Sequence, residues 1–163
     1  GEVRGSVVIG SADLVIAKVP DAALVGDLTL RHEGGLSEPY HCAIGIQVAD
    51  SLHPVANPAV DAEGNIYTTF SGQRGQKTPV SIYRIDTNYR SEAFASDIMN
   101  ATGLAFDREG VLHVSSRHDG TISQVFPGGS ARTLVEGMGI ATGICFDPEG
   151  NLFVGDRSGT VFK

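Results

Sequence analysis

The sequence predicts an all-β protein whose second two-thirds consist of a repeated unit. A D-x-E-G tetrapeptide occurs three times, at 61–64, 107–110 and 147–150, and its glycines are 46 and then 40 residues apart. Each copy lies between two short apolar runs, and no helical period of 3.6 residues persists along the chain. Glycine accounts for 21 of the 163 residues. Together these observations predict short strands joined by tight turns and far less helix than an average protein contains.

The spacing of the repeat predicts β-propeller blades. A period near 40 residues, with strands on both sides of a turn, is typical of four-stranded blades. We expect blades at about 54–99, 100–140 and 141–163, the last of them truncated. These amount to roughly 2.5–3 blades, fewer than a closed ring needs, so the chain is expected to be a fragment of a longer protein. The motif residues favoured by turn chemistry are expected to be structural: Asp61, Gly64, Asp107, Gly110, Asp147 and Gly150.

The first fifty residues lack this period. Apolar runs at 7–9, 14–20, 26–30 and 43–48 predict four strands, separated by Pro, Gly, His and Ser. Turn signals every 8–12 residues are typical of a β-sandwich. We therefore expect a small Ig-like domain over residues 1–50, a boundary near 49–54, and a second domain over 51–163.

Two family resemblances fit this division. An apolar strand ending in Val-Pro at 19–20, a strand beginning at Gly26 and a Gly-Gly-x-Ser hairpin at 34–37 resemble the C-terminal part of an IPT/TIG domain. The strand–Asp–turn–strand pattern at 152–160 resembles NHL repeats, and residues 54–163 resemble the gluconolactonase-like propellers. The resemblance implies a partial Ig-like sandwich followed by an incomplete NHL-like propeller of a six-bladed ring.

The gluconolactonase resemblance also implies a divalent cation, such as Ca²⁺, on the propeller axis. In that family a Glu, Asn residues and an Asp from different blades hold it. Here Thr-Gly pairs at 102–103 and 142–143 stand where Asn-Gly is expected, and a threonine is a poor substitute for an amide carbonyl ligand. Asn57 and Asp156 remain as candidate ligands under this alternative. The leading expectation is therefore no metal and no cofactor.

Four basic residues are the candidate ligand-binding set. Arg117 and Arg157 each follow their motif glycine by seven residues, and Arg74 and Lys77 fall in the longer loop of the first repeat. The connections between second and third strands all emerge on one face of a propeller, so these side chains are expected to form an arc around the channel mouth. Arginine suits carboxylate or phosphate groups through its bidentate fork. The alternative is that each arginine pairs locally with a nearby aspartate.

Composition excludes some classes of function. The net charge of −7 disfavours nucleic-acid binding, which needs clustered Lys and Arg. No run of 18 apolar residues predicts a membrane span in this segment. Cys42 precedes an apolar run and Cys145 lies between two apolar residues, which predicts buried free thiols. His113 occupies a strand position that is aromatic in the other repeats, which predicts a packed core histidine, whereas His118 lies in a turn.

The sequence thus predicts a non-catalytic binding or scaffolding propeller of a secreted or cell-surface protein of bacterial type. Its location is expected to be extracellular, periplasmic or on the cell surface, and its ligand a protein, peptide or glycan. The alternative is a gluconolactonase-like, metal-dependent lactone hydrolase. A weaker alternative is a lyase of the virginiamycin-inactivating type, which has the same scaffold.

Overall fold

The computed structural model describes residues 2–52 and 57–163, and within these ranges it contains strands and turns but no helix. The all-β prediction is therefore confirmed. The chain divides into two compact units, 1–48 and 49–163. The predicted boundary at 49–54 falls partly on residues outside the described ranges. No described segment forms a helix long and apolar enough to cross a membrane.

The N-terminal unit consists of three two-stranded antiparallel sheets, in which β1 pairs with β2, β3 with β6 and β4 with β5. Its strands are β1 (Ser6–Gly10), β2 (Val15–Lys18), β3 (Gly26–Leu28), β4 (Arg31–His32), β5 (Gly35–Leu36) and β6 (Tyr40–Cys42). The strand predicted over 43–48 is wrong, because Tyr40–Cys42 instead pairs with Gly26–Leu28. Gly45 weakens the strand tendency of the apolar run that follows. None of the residues described in 2–48 is buried.

The second unit follows the repeat, with three antiparallel sheets built from consecutive strands, in the orders β10-β9-β8-β7, β11-β12-β13-β14 and β15-β16-β17. The first blade contains β7 (Ala59–Val60), β8 (Ile66–Thr69), β9 (Ile82–Ile85) and β10 (Ser91–Ala95). The second contains β11 (Ala101–Phe106), β12 (Leu112–Ser116), β13 (Thr121–Val125) and β14 (Ala131–Val135). The third contains β15 (Ala141–Phe146), β16 (Leu152–Asp156) and β17 (Val161–Phe162). The prediction of an incomplete propeller made of four-stranded units is confirmed.

The D-x-E-G motifs form the tight turns between the first two strands of each blade. The amide of Gly64 donates a hydrogen bond to the carbonyl of Asp61 at 3.2 Å, and the same bond recurs at 107–110 and 147–150 at 3.2 and 3.0 Å. Gly64 has a φ of 88°, a conformation that side-chain-bearing residues rarely adopt. The turn chemistry therefore explains why glycine recurs at this place.

The core of the second unit consists of apolar residues packed between adjacent blades. One cluster joins the first and second blades and includes Tyr67, Leu104 and Val114. Another joins the second and third blades and includes Ile122 and Ile144. The first and second blades therefore each bury one face of the sheet against the following blade, which is how a propeller hides surfaces that an open sheet exposes.

The prediction that both cysteines are buried is wrong. Both thiols are free, but Cys42 is only half-buried and Cys145 is exposed. Cys145 alternates with Ile144 and so lies on the opposite face of β15. Its counterpart in the second blade, Ala105, packs against the third blade. Within the described residues of 49–163, Cys145 belongs to neither core cluster, which agrees with its exposure.

Candidate functional site

The carboxylates of the D-x-E-G motifs are occupied by hydrogen bonds within their own turns. Asp61 Oδ1 accepts from the amides of Glu63 and Asn65 at 3.1 and 2.8 Å. Its Oδ2 accepts from the Asn65 side-chain amide at 2.8 Å and from the Tyr67 hydroxyl at 3.1 Å. This side chain therefore closes the turn and joins it to the second strand.

The other two motif carboxylates act in the same way. Asp107 Oδ1 accepts from the Val111 amide at 2.8 Å. Asp147 accepts from the backbone and side-chain amides of Asn151, both at 2.7 Å. Recurrence of one bonding pattern in all three blades indicates a structural turn rather than a set of metal ligands.

These hydrogen bonds favour the charged form of the carboxylates. Burial opposes ionisation of Asp61, but hydrogen bonds from Asn65 and Tyr67 outweigh it, so its pKa lies below the ordinary value of 3.8. The side-chain hydrogen bond from Asn151 lowers the pKa of Asp147. Both carboxylates therefore remain ionised at neutral pH and carry no proton that could serve as a general acid.

The inner strands of the second and third blades bulge at their Thr-Gly pairs. The strand register shifts between Ala101 and Leu104 in β11, and equivalently within β15. At Gly103 a side chain would overlap the carbonyl oxygen of Thr142, so the two inner strands approach closely there. Bulges of this kind are frequent next to functional sites because they redirect backbone groups. The bulges are therefore the candidate positions for a binding site along the inner strands.

The backbone carbonyls of the two Thr-Gly pairs already accept hydrogen bonds from side-chain hydroxyl groups. Thr69 Oγ1 donates to the carbonyl of Thr102 at 3.3 Å, and Ser115 Oγ donates to the carbonyl of Thr142 at 2.5 Å. Each bond runs from the second strand of one blade to the first strand of the next. The threonine hydroxyls themselves donate to backbone carbonyls, Thr142 Oγ1 to Gly155 at 2.9 Å. The Thr-Gly pairs thus hold neighbouring blades together.

The described residues do not by themselves form a complete acidic, histidine or cysteine site for a divalent cation. No group of three or more His, Cys, Asp or Glu within 2–52 and 57–163 is arranged to hold one. Asn57 lies beside Gly143, where a side chain added to that glycine would come 3.8 Å from the Asn57 amide nitrogen. Asp156, the other candidate ligand, accepts a hydrogen bond from the Ile140 amide at 2.6 Å and another from the Ser158 hydroxyl. The Ser158 bond, and then the Ile140 bond, lower the pKa of Asp156.

The four basic residues of the predicted arc have different surroundings. Arg117 Nη2 donates to the carbonyl of Gly72 at 2.9 Å, and Lys77 forms an ion pair with Asp97 at 2.6 Å. Arg74 and Arg157 are exposed.

The backbone supports the equivalence of Arg117 and Arg157. Their amides donate to the carbonyls of Asn100 and Ile140, both at 3.2 Å. Among the described residues no ion pair joins Arg157 to Asp156, whose carboxylate instead accepts hydrogen bonds from the Ser158 hydroxyl and the Ile140 amide. Ligand binding by the four basic residues stays a prediction.

Asn100 is a candidate site residue that the sequence patterns did not predict. It is 1% exposed and has a φ of 44°. Its Oδ1 accepts from the Gly75 amide at 2.6 Å, and its Nδ2 donates to the carbonyls of Gln73, at 2.8 Å, and Ser71. The repeat contains one signal of this role, because the third blade has an isoleucine, Ile140, at the equivalent position.

Comparison with known proteins supports the fold. No family model matches the chain, and no curated protein matches it. Among solved structures, a gluconolactonase from Xanthomonas campestris is 20% identical over 78% of this chain and 48% of its own, with a TM-score of 0.51. A virginiamycin B lyase from Staphylococcus aureus is 11% identical over 93% of this chain and 60% of its own, with a TM-score of 0.53. An auxiliary nutrient binding protein from Bacteroides ovatus is 12% identical over 70% of this chain and 32% of its own, with a TM-score of 0.56.

These similarities define the architecture and not the activity. The chain spans about half or less of the first solved structures that it matches, between 32% and 50% of their length. None of the comparisons supports the IPT/TIG resemblance of the first fifty residues, which stays a prediction. The second unit has the fold of part of a gluconolactonase-like β-propeller.

Proposed function

We propose that this chain forms part of a gluconolactonase-like propeller enzyme that opens a lactone, a small cyclic ester. The observation that carries the proposal is the fold itself, shared with a solved gluconolactonase at 20% identity. In this scaffold the inner strands of successive blades converge on an axis, and ligands of ring-shaped folds bind where the connecting loops surround such an opening. Under this proposal the corresponding elements of the present chain would be the bulges of β11 and β15 and the connection after β8.

The reaction would add water across the ring ester bond. Water attacks the carbonyl carbon, the bond between that carbon and the ring oxygen breaks, and the product carries a carboxylate and a new hydroxyl group. A divalent cation supplies polarisation of the carbonyl in catalysis of this type. The described residues form no complete cluster of His, Cys, Asp or Glu for such a cation, so none of them takes a catalytic step through it. Under this proposal the present chain contributes substrate-binding groups.

A second candidate is a binding or scaffolding propeller without catalysis. The commitment of the described carboxylates to turns favours it, since Asp61 and Asp147 each accept bonds from neighbouring amides. The auxiliary nutrient binding protein among the similar structures supports it further. Under this reading the protein is extracellular, periplasmic or attached to a cell surface, and its ligand is a glycan or peptide.

Lactone opening by the full-length protein distinguishes the two candidates. Glucono-δ-lactone hydrolysis is followed by pH-stat against the spontaneous rate, with Ca²⁺, Mn²⁺ or Zn²⁺ added and then removed by a chelator. The hydrolase proposal predicts opening above the spontaneous rate that is lost with the chelator and restored by one of the metals. A spontaneous rate under all conditions, with calorimetric binding of a glycan, would establish the binding protein instead.

A further inference from the structure

The connection between β8 and β9 is the longest of its kind in the three blades. It runs over 70–81, whereas the equivalent connections after β12 and β16 cover only 117–120 and 157–160. The hairpin turns of this fold need only a few residues. A longer connection on one blade adds surface on the face where these connections emerge, without serving the turn itself. Such loops on a rigid scaffold are where binding residues concentrate.

The 70–81 connection is held in place by the second blade. Asn100 uses both polar atoms of its side chain on this connection, accepting from the Gly75 amide and donating to the Gln73 and Ser71 carbonyls. Arg117 adds a bond to the Gly72 carbonyl at 2.9 Å. The backbone from 71 to 75 is thus fixed from outside its own blade.

Contacts within the connection add to this rigidity. The Gln73 amide donates to the Gln76 side chain at 2.9 Å, and Thr78 Oγ1 donates to the Val80 carbonyl at 2.8 Å. A loop that is ordered before binding loses little conformational freedom when a ligand arrives. The connection therefore has the property expected of a recognition loop.

The basic side chains on and beside this loop differ in whether they have an acidic partner. Lys77 is paired with Asp97, so its charge is largely compensated. The guanidinium of Arg117 bonds a backbone carbonyl, and no carboxylate faces it among the residues that the structure describes. Arg74, between Gln73 and Gly75, is exposed and has no hydrogen-bond or ion-pair partner in the described part of the chain. Two positive charges therefore lie on or beside the loop without an acidic partner, in a protein of net charge −7.

We propose that the 70–81 connection is a carboxylate-recognition loop, in which Arg74 binds the carboxylate of a small hydroxy acid and Asn100 positions the loop. The inference rests on the proposed function only in the choice of ligand, because lactone opening produces a hydroxy acid. A guanidinium recognises a carboxylate through two parallel hydrogen bonds and an opposite charge. Arg117, behind the loop, adds positive potential without contacting the ligand.

Isothermal titration of the full-length protein tests the site with gluconate and with glucose, its uncharged counterpart. We expect gluconate to bind more tightly than glucose, and Arg74→Gln to weaken gluconate binding roughly tenfold or more, as loss of a charge-assisted pair does. Arg74→Lys keeps the positive charge but loses the two-pronged guanidinium, so its gluconate affinity should lie between those of the wild type and Arg74→Gln. The matched control is Arg108→Gln, because Arg108 lies in the turn at the opposite end of β12 from the 117–120 connection.

The outcomes separate this site from the catalytic proposal. Gluconate affinity that is unchanged in Arg74→Gln, or equally reduced in Arg108→Gln, would overturn the recognition loop, as would absence of gluconate binding by the wild-type protein. Arg74-dependent gluconate binding without any lactone opening would support the loop and refute the hydrolase. If Arg74→Gln changes neither the rate of lactone opening nor the affinity for gluconate, the hydrolase is supported and the recognition loop is refuted.

Discussion

The imidazole of His113 in the second blade packs edge-on against the phenyl ring of Phe146 in the third, with ring centroids 4.9 Å apart. Tyr67 in the first blade meets Phe106 in the second in the same way, at 5.2 Å. Each pair joins the second strand of one blade to the end of the first strand of the next. His113 is 2% exposed, which confirms the predicted core histidine. The histidine therefore takes the place of a packing aromatic residue rather than that of a ligand.

Truncation of His113 should loosen the contact between the second and third blades. We expect His113→Ala to lower the free energy of unfolding by about 2–4 kcal/mol, because it leaves a cavity beside Phe146. His113→Phe should cost less, since it keeps the ring contact and loses two hydrogen bonds, one with the Val111 carbonyl at 3.1 Å and one with the Gln124 side-chain amide at 3.3 Å. Chemical denaturation measures both values.

The control is His118→Ala, in an exposed turn of the same blade, which should stay within about 0.5 kcal/mol of the wild type. Equal losses for the two histidines would refute the packing role of His113.

The two axial glycines should respond differently to the same substitution. A methyl group at Gly103 would overlap the Thr142 carbonyl, whereas at Gly143 the nearest atom is the Asn57 amide nitrogen at 3.8 Å. Gly103→Ala should therefore push the second and third blades apart and cost about 1–3 kcal/mol. Gly143→Ala should cost clearly less. The comparison is made by thermal and chemical denaturation, and a larger loss for Gly143→Ala would contradict the close approach of β11 to β15.

Local chemistry explains how much of the fold the sequence could predict. The turns at 61–64, 107–110 and 147–150 depend on hydrogen bonds between residues a few positions apart in the chain. The spacing and composition of these motifs were therefore sufficient to predict the blades. The strand expected over 43–48 failed because strand formation depends on a partner, and the partner edge of Gly26–Leu28 is taken by Tyr40–Cys42. Which face of a sheet is covered also depends on distant segments, which is why exposure of Cys145 could not be predicted.

The candidate site was harder to predict than the fold. The basic residues share spacing in the sequence, but their pairing depends on contacts between blades, such as the bond from Arg117 to Gly72. The role of Asn100 likewise requires a loop 25 to 29 residues earlier in the chain to return to it. A single repeat position at which asparagine replaces isoleucine is a weak signal without that geometry. Contacts between a blade and a connection of the preceding blade can be recognised only from the three-dimensional structure.

Acid should destabilise the second unit through its turn carboxylates. The pKa values of Asp61, Asp147 and Asp156 lie below 3.8 in the folded protein. Folding therefore favours their ionised forms, and their contribution to stability is fully present above the unfolded pKa and is lost as pH falls through the folded values. The midpoint of urea unfolding should be constant near neutral pH and decrease below about pH 4.

A single variant isolates one of these carboxylates. Asp147→Asn should be less stable than the wild type at pH 7, and the difference should shrink as the pH falls through the lowered pKa of the wild-type carboxyl. Glu109→Gln, on an exposed side chain of the equivalent turn, is the control. A stability difference for Asp147→Asn that does not vary with pH would show that the turn hydrogen bonds with Asn151 do not depend on charge.

Removal of the Asn100 side chain should release the 70–81 connection while the blades stay folded. Asn100→Ala deprives the Gly75 amide of its acceptor and the Gln73 and Ser71 carbonyls of their donor. Each buried group left without a partner costs about 1–3 kcal/mol, so we expect a measurable loss of stability. The specific effect is local, because the Gly75 amide should exchange with deuterium much faster, whereas amides of β12 and β13 should keep their relative protection. The control is Asn88→Ala, on an exposed turn of the first blade between β9 and β10. Uniformly faster exchange throughout the unit would mean that Asn100 serves general stability. Unchanged exchange at Gly75 would mean that Arg117 and the contacts within the connection hold the loop without Asn100.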